Sequence, residues 1–190
     1  MITQILGVSE TSLRLAKQLI SEGEVVAFHT ETVYGLGADA RSDEAVRHIF
    51  ELKGRPQNNP LIAHVHRDFD ISSLVDDIPA YAKKLAKAFL PGPLTMVYPS
   101  TGKVSPLVSC GLKTLAVRVP SSPTAQAFLR AVDVPVAAPS ANVSKHISPV
   151  TARHVFEDFE GRIPLILDGG RCEGGIESTV LDCTGETPQI

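Results

Sequence analysis

Basic residues are not in excess: 18 Lys+Arg stand against 21 Asp+Glu, a net charge of −3. That excludes a globally basic nucleic-acid binder and leaves only local patches for such a role. Long apolar runs are missing as well, so no segment reads as a bilayer span. The N-terminal stretch MITQILGVSETSLRLAKQL lacks the basic start, apolar block and small-residue cleavage site of a signal peptide. Cys110, Cys172 and Cys183 are odd in number and have no CxxC spacing. This argues against a disulfide framework or a thiolate zinc site and points to the reducing cytoplasm. No Walker A sequence occurs: around Thr101-Gly102-Lys103, Val97 takes the place of the first glycine and Val104 follows the lysine. No GxSxG elbow supports a serine nucleophile.

What is present suits one domain with a packed core, since 43% of the 190 residues are apolar. Fourteen Gly and 14 Pro sit between short apolar runs, which implies a sheet with many turns. Helical spacing predicts helices over Glu10–Ser21, Asp43–Lys53, Pro79–Phe89, Pro123–Val132 and Val150–Phe159. Short apolar runs predict strands at Val25–Phe28, Leu61–Val65, Leu94–Tyr98, Leu115–Val119, Val134–Ala137, Leu165–Leu167 and Thr179–Leu181. The segment His29–Ala40 is rich in Gly and Thr, has no period, and reads as a loop. Helices alternating with buried strands make an α/β layered domain. Open α/β sheets bind ligands at strand ends, so chemistry belongs in His29–Gly37, Lys53–Asn59, Lys113–Arg118, Pro139–Ser148 and Asp168–Thr179.

Several residues in those segments have two readings. Gly35-Leu36-Gly37-Ala38-Asp39-Ala40 fits the loosest dinucleotide pattern, but His29–Tyr34 separates it from its strand; a Gly-rich loop around another ligand fits better. Lys53 and Arg55 either complement a helix C-terminal dipole on a solvated face or aim two cations at polyphosphate. His64 and His66 alternate along a strand without a third metal ligand, so a hydrogen bond to ligand or backbone outweighs zinc. Arg118, inside the apolar run Leu115–Val119, is either an internal ion pair with Asp168 or Glu177, or a carboxylate clamp. Ser140, Asn142 and Ser144 can cap the next helix or bind polar ligand edges. The glycines of Asp168–Gly170 and Gly174–Thr179 can hold anions, and Glu177 a divalent cation.

Read in order, HTETVYGLG, KGRPQNNPLIAHV, PGPLTMV, TLAVRVP, APSANVS–ISP and DGG–GGIESTV resemble the successive motifs of the YrdC family of threonylcarbamoyl-AMP synthases. The resemblance runs from about residue 10 to residue 181. It implies a single YrdC-like catalytic domain over residues 1–190, with three layers, a twisted mixed sheet and a positively charged concave cavity. It implies that L-threonine, bicarbonate and ATP become threonylcarbamoyl-adenylate and pyrophosphate, for later transfer to a tRNA adenosine beside the anticodon. By the same resemblance Thr32, His64, Arg118, Ala138 and Ser178 surround threonine. Lys53, Arg55, Asn59, Thr114, Ser140, Asn142 and Ser148 hold ATP, with Lys53 and Arg55 on its phosphates. Lys53, Arg55 and Arg118 would act by positioning and charge, with Mg2+ on the phosphates and neither an organic cofactor nor a covalent nucleophile. Arg118 would read the substrate carboxylate, and Thr32 or His64 its hydroxyl.

Three departures stand out. His29 replaces a usual Pro, Lys145 replaces a usual Gly, and the chain stops at Gln189-Ile190 where longer members continue into a linker and second domain. Besides a non-enzymatic scaffold, which leaves the Lys53, Arg55 and Arg118 cations and the Ser140/Asn142 pair unexplained, two rival functions remain: an RNA- or tRNA-binding module using Lys145, His146, Arg153 and His154, or a domain adenylating carbamoyl phosphate. The latter sits in longer chains with cysteine repeats that this sequence lacks.

Overall fold

A computed structural model describes all 190 residues. Four of the five α-helices form where periodicity and a side-chain cap agree; the one over Ala80–Phe89 follows Pro79 without a side-chain cap. Helix α1 (Glu10–Ser21) opens on a capping box: the Ser9 hydroxyl accepts the Ser12 N–H at 3.1 Å, and the Ser12 hydroxyl accepts the Ser9 N–H at 2.8 Å. Helix α2 (Asp43–Lys53) starts at the Ser42 cap and stops at Gly54, left-handed at φ +60°. Helix α3 spans Ala80–Phe89; α4 (Pro123–Val132) has Ser122 as cap and Pro123 in its first turn; α5 (Ala152–Phe159) is capped by Thr151.

Nine strands make one mixed sheet: β1 (Gln4–Gly7), β2 (Val26–Phe28), β3 (Gly35–Asp39), β4 (Ile62–His64), β5 (Leu94–Pro99), β6 (Thr114–Arg118), β7 (Val136–Ala137), β8 (Leu165–Asp168) and β9 (Thr179–Asp182). Their order is β1-β8-β2-β3-β7-β4-β6-β5-β9. The pairs β1/β8, β2/β8, β4/β6 and β5/β9 are parallel; β2/β3, β3/β7, β4/β7 and β5/β6 are antiparallel.

Two elements depart from the sequence reading. Strand β1 was not expected; it is a mostly exposed edge and so carries no buried apolar run. The supposed loop His29–Ala40 contains β3, which pairs antiparallel with β2. Its glycines answer to packing rather than to a turn: a Cβ on Gly37 would lie 2.7 Å from Val136 Cγ1 and 2.9 Å from Phe28 Cε1.

Strand alternation divides the core in two. Val26, Phe28, Val136, Leu165 and Leu167 face Ala16 and Ile20 of α1 and Ala125, Phe128 and Leu129 of α4. Val25, Ala27, Leu36, Ala63, Met96, Leu115, Val117 and Ile166 face the other way, onto Val46, Ile49 and Phe50 of α2, Val155 and Phe159 of α5, and Ala82 of α3. The α/β layering read from the sequence, and the three layers implied by the family resemblance, are therefore present. Helices α1 and α4 pack on β2 and β3, one half of their side of the sheet. The other half, on β4, β6 and β5, opens into two joined cavities. No helix is long and apolar enough to cross a membrane.

Candidate active site

The side chains of the open half-face follow from the two-residue period of the strands. Where Leu115 and Val117 face the core, Thr114, Ala116 and Arg118 must face the opening; Thr95 and Val97 do so from β5, Ile62 and His64 from β4. Register brings the functional groups level: His64 pairs with Arg118 across β4/β6, and Arg118 with Thr95 across β6/β5. An inner recess of about 70 Å³ is lined by Thr30, Thr32, His64, Arg118, Ala138 and Ser178 among others. An outer cleft of about 480 Å³ is lined by Arg55, Asn59, Thr95, Thr114 and Val180 among others. The two share the walls Ile62, Ala138, Pro139, Ser140, Glu177 and Ser178.

Inside the recess the hydrogen bonds have a direction. The Thr30 hydroxyl donates to the Val33 carbonyl at 2.6 Å and accepts the Thr32 N–H at 3.2 Å. Its proton being spent, the Thr32 hydroxyl donates to it at 2.9 Å and accepts Arg118 Nη1–H at 3.0 Å. Arg118 also donates through Nε to the Gly92 carbonyl at 3.3 Å and through Nη2 to the Glu31 carboxylate. Ser178 and Thr95 share a hydroxyl hydrogen bond of 2.6 Å. His64 Nδ1 lies 3.0 Å from the Ile62 carbonyl, so Nδ1 carries the hydrogen and Nε2 is left as an acceptor. Burial, reinforced by the Arg118 charge, pushes the His64 imidazole down to about 3 and keeps it neutral.

The outer cleft differs in charge. Arg55 donates to the carbonyls of Asn59 (3.2 Å) and Pro60 (3.1 Å). Lys53 lines neither cavity. It is 2% exposed, and its Nζ donates to the Ser140 and Asn142 carbonyls, both at 2.5 Å. It thus braces from behind the loop that walls both cavities. Burial, with Arg55 nearby, pushes its ammonium down to about 8. Asn142 is buried beside it, donating to the Val143 and His146 carbonyls at 2.9 Å, while its Oδ1 has no partner. Ser148 ties the same loop to the next by donating to the Glu177 carboxylate.

The structure thus gathers Thr32, His64, Arg118, Ala138 and Ser178 around one recess, and Arg55, Asn59, Thr114 and Ser140 around the adjoining cleft; Lys53, Asn142 and Ser148 stand in the loop scaffold behind and beside them. Two sequence readings need correction. The solvated-face reading of Lys53 fails, because the Ser140–Asn142 loop folds over it. The ion-pair partner of Arg118 is Glu31, not Asp168 or Glu177. Sequence reasoning missed Glu31 and Thr95; the only signal for Glu31 was its place beside Thr32 in a polar strand-end segment. Of the departures, His29 Nδ1 meets the Ser122 hydroxyl at 2.7 Å, and Lys145 occupies left-handed backbone at φ +73°, where glycine would be unstrained. No cluster of three or more metal-ligating side chains occurs.

Comparison with known proteins gives the family of the chain. The Sua5/YciO/YrdC family model, described as "Telomere recombination", matches residues 18–190. The chain is 48% identical over 183 residues to the threonylcarbamoyl-AMP synthase of Pyrococcus abyssi, covering 96% of this chain and 54% of that protein. It is 46% identical to the Bacillus subtilis protein of the same name, covering 100% and 55%. The crystal structure of P. abyssi Sua5 complexed with L-threonine superposes with a TM-score of 0.92 at 47% identity, covering 98% of this chain and 55% of that one. The chain spans about half the length of these curated relatives. Across that span it is a member of the Sua5/YciO/YrdC family.

Proposed function

We propose that residues 1–190 form one catalytic domain, a nucleotidyltransferase that makes threonylcarbamoyl-AMP from L-threonine, bicarbonate and ATP. The observation that carries this reading is the junction of the two cavities. A small recess ending in Arg118 opens through shared walls at Pro139–Ser140 and Glu177–Ser178 into a larger cleft bearing Arg55. An amino acid in the recess and a nucleotide in the cleft would meet at those walls.

The chemistry asks for such an arrangement. Bicarbonate gives CO2 by loss of hydroxide; the threonine amine adds to that CO2 and sheds a proton, so that one water is released in all, and an oxygen of the resulting carbamate attacks the α-phosphorus of ATP and displaces pyrophosphate. The nucleophile belongs to the substrate, so the protein contributes positioning and charge. Arg118 has two N–H groups beyond those held by Gly92, Thr32 and Glu31, enough for a bidentate carboxylate. His64 Nε2 offers an acceptor for the threonine hydroxyl. Arg55 and the Lys53-braced loop serve the phosphates. Mg2+ would enter with ATP; Glu177 is the one carboxylate lining both cavities, which fits an ion carried mainly on phosphate oxygens. The product would be consumed by proteins that modify tRNA.

Local charge weighs against the RNA-module reading. Within the basic cluster His146 pairs with Asp158 at 3.0 Å and Arg153 with Glu157 at 3.2 Å, which mutes its field. The deciding experiment is pyrophosphate release from ATP with and without L-threonine and bicarbonate, with serine as control. Release that needs both and favours threonine supports the assignment. Release indifferent to threonine, or absence of threonine and ATP binding by calorimetry, overturns it.

A further inference from the structure

Arg118 is the one cation lining the inner recess. It is 4% exposed, and a buried guanidinium is a strong site for any anion that fits, inorganic phosphate included. Yet the proposed reaction must keep phosphate groups in the outer cleft and an amino acid in the recess. The fold supplies a countercharge at that point. Glu31 gives one carboxylate oxygen to Arg118 Nη2. The other accepts the Ser121 and Ser122 N–H groups at 2.9 and 3.1 Å, at the start of α4. That anchoring fixes Glu31 independently of Arg118, so the carboxylate stays whether or not a ligand arrives. Burial raises the Glu31 carboxyl, but Arg118 and the backbone N–H groups outweigh it and hold it below the usual carboxylate range. With His64 neutral and Glu177 on the shared wall, the recess carries no net positive charge. Arg55, by contrast, has carbonyl partners and no ion-pair partner.

We propose that Glu31 is a specificity-determining residue: by neutralising Arg118 it reserves the inner recess for an amino-acid zwitterion and turns phosphate anions away to the Arg55 side of the cleft. The inference rests on the reading above that the recess takes the amino-acid substrate. A zwitterion can use the two remaining Arg118 N–H groups through its carboxylate while adding no net charge. Phosphate brings one to two uncompensated negative charges into a site already holding two carboxylates, Glu31 and Glu177.

The test is calorimetric titration of L-threonine into wild type, Glu31→Gln and Glu31→Asp, in chloride and in inorganic phosphate at matched ionic strength and neutral pH. Wild-type affinity should agree in the two salts within about twofold. In Glu31→Gln phosphate should compete with threonine and weaken its apparent affinity by at least about tenfold, from removal of one charge a few ångströms from the guanidinium. Glu31→Asp keeps the charge and should keep the indifference to phosphate, even where the shorter side chain costs threonine affinity. A Glu31→Gln protein that loses threonine affinity equally in both salts would reduce Glu31 to an orienting role and overturn the proposal. Should that variant fail to fold, wild type and Glu31→Asp still decide: phosphate competition in either overturns it, and indifference in both supports it. Failure of the wild type to bind threonine in chloride would overturn the parent reading instead.

Discussion

His64 lets the chemistry of the recess be read as stability. The residue is 4% exposed, its Nδ1–H is engaged by the Ile62 carbonyl, and Phe28 meets its ring edge to face at 5.9 Å. The charges that face it are Arg118, across β4/β6, and Glu31 behind that guanidinium. Burial first and Arg118 second press its folded-state pKa down to about 3, whereas in the unfolded chain it lies near about 6.5. Between those values the unfolded state binds the extra proton, so stability falls as pH falls through that window. At about pH 5 the unfolded chain gains roughly 2 kcal/mol from protonating this one histidine, and at about pH 7.5 almost nothing. His64→Gln removes the titration and leaves the other five histidines and the carboxylates as a common background. Urea unfolding of both proteins at the two pH values should show the wild type losing about 2 kcal/mol more than the variant on acidification. In thermal melts this is an extra drop of several degrees, roughly 4–8 °C for a chain of this size. Parallel pH profiles, agreeing within about 0.5 kcal/mol, would mean that His64 protonates freely in the folded state and would refute the neutral-imidazole geometry.

Other expectations follow from single contacts. Arg118→Lys loses the fork that spans Gly92, Thr32 and Glu31 and should raise the threonine KM well above any rise in the ATP KM; equal effects on both substrates would count against the carboxylate role. Lys53→Met strips the shared donor from two buried carbonyls and should cost about 2–4 kcal/mol in urea unfolding, whereas Arg55→Ala should leave stability nearly unchanged and weaken ATP binding. A Lys53→Met protein as stable as wild type would sink the bracing role. Gly37→Ala drives a methyl into Val136 and Phe28 and should destabilise by about 1–3 kcal/mol, read as a lowered urea midpoint with unchanged slope.

The parts of this molecule that were legible in the sequence are those with local causes. Ser42 caps α2 by a bond to the residue three positions on, and Gly54 ends it through its own backbone angle; α5, by contrast, is capped by Thr151 and not by Ser140, Asn142 or Ser144. Strand β3 escaped because its glycines answer to the Phe28 ring and Val136, contacts that no local window contains. The same holds in the site. Thr32 and Arg118 could be singled out from their segments, but the choice of Glu31 over Asp168 or Glu177 as partner depends on where α4 starts relative to β6. Lys53 at a helix end looks solvated until the Ser140–Asn142 loop, 87 and more residues away, closes over it.

One non-local feature was nonetheless written in plain alternation. In β5 and β6 the core face reads Met96, Tyr98, Leu115 and Val117, while the opposite face reads Thr95, Val97, Thr114, Ala116 and Arg118. A sheet face that is small and polar over two neighbouring strands cannot repay the burial of a helix against it. In β2 and β8, where both faces are apolar, helices cover both. The open half of the sheet, and hence the position of the cleft, follows from that contrast. Arg118 marks its inner end because it is the one position on that face where a charge had to be matched, and Glu31 is what the fold set against it.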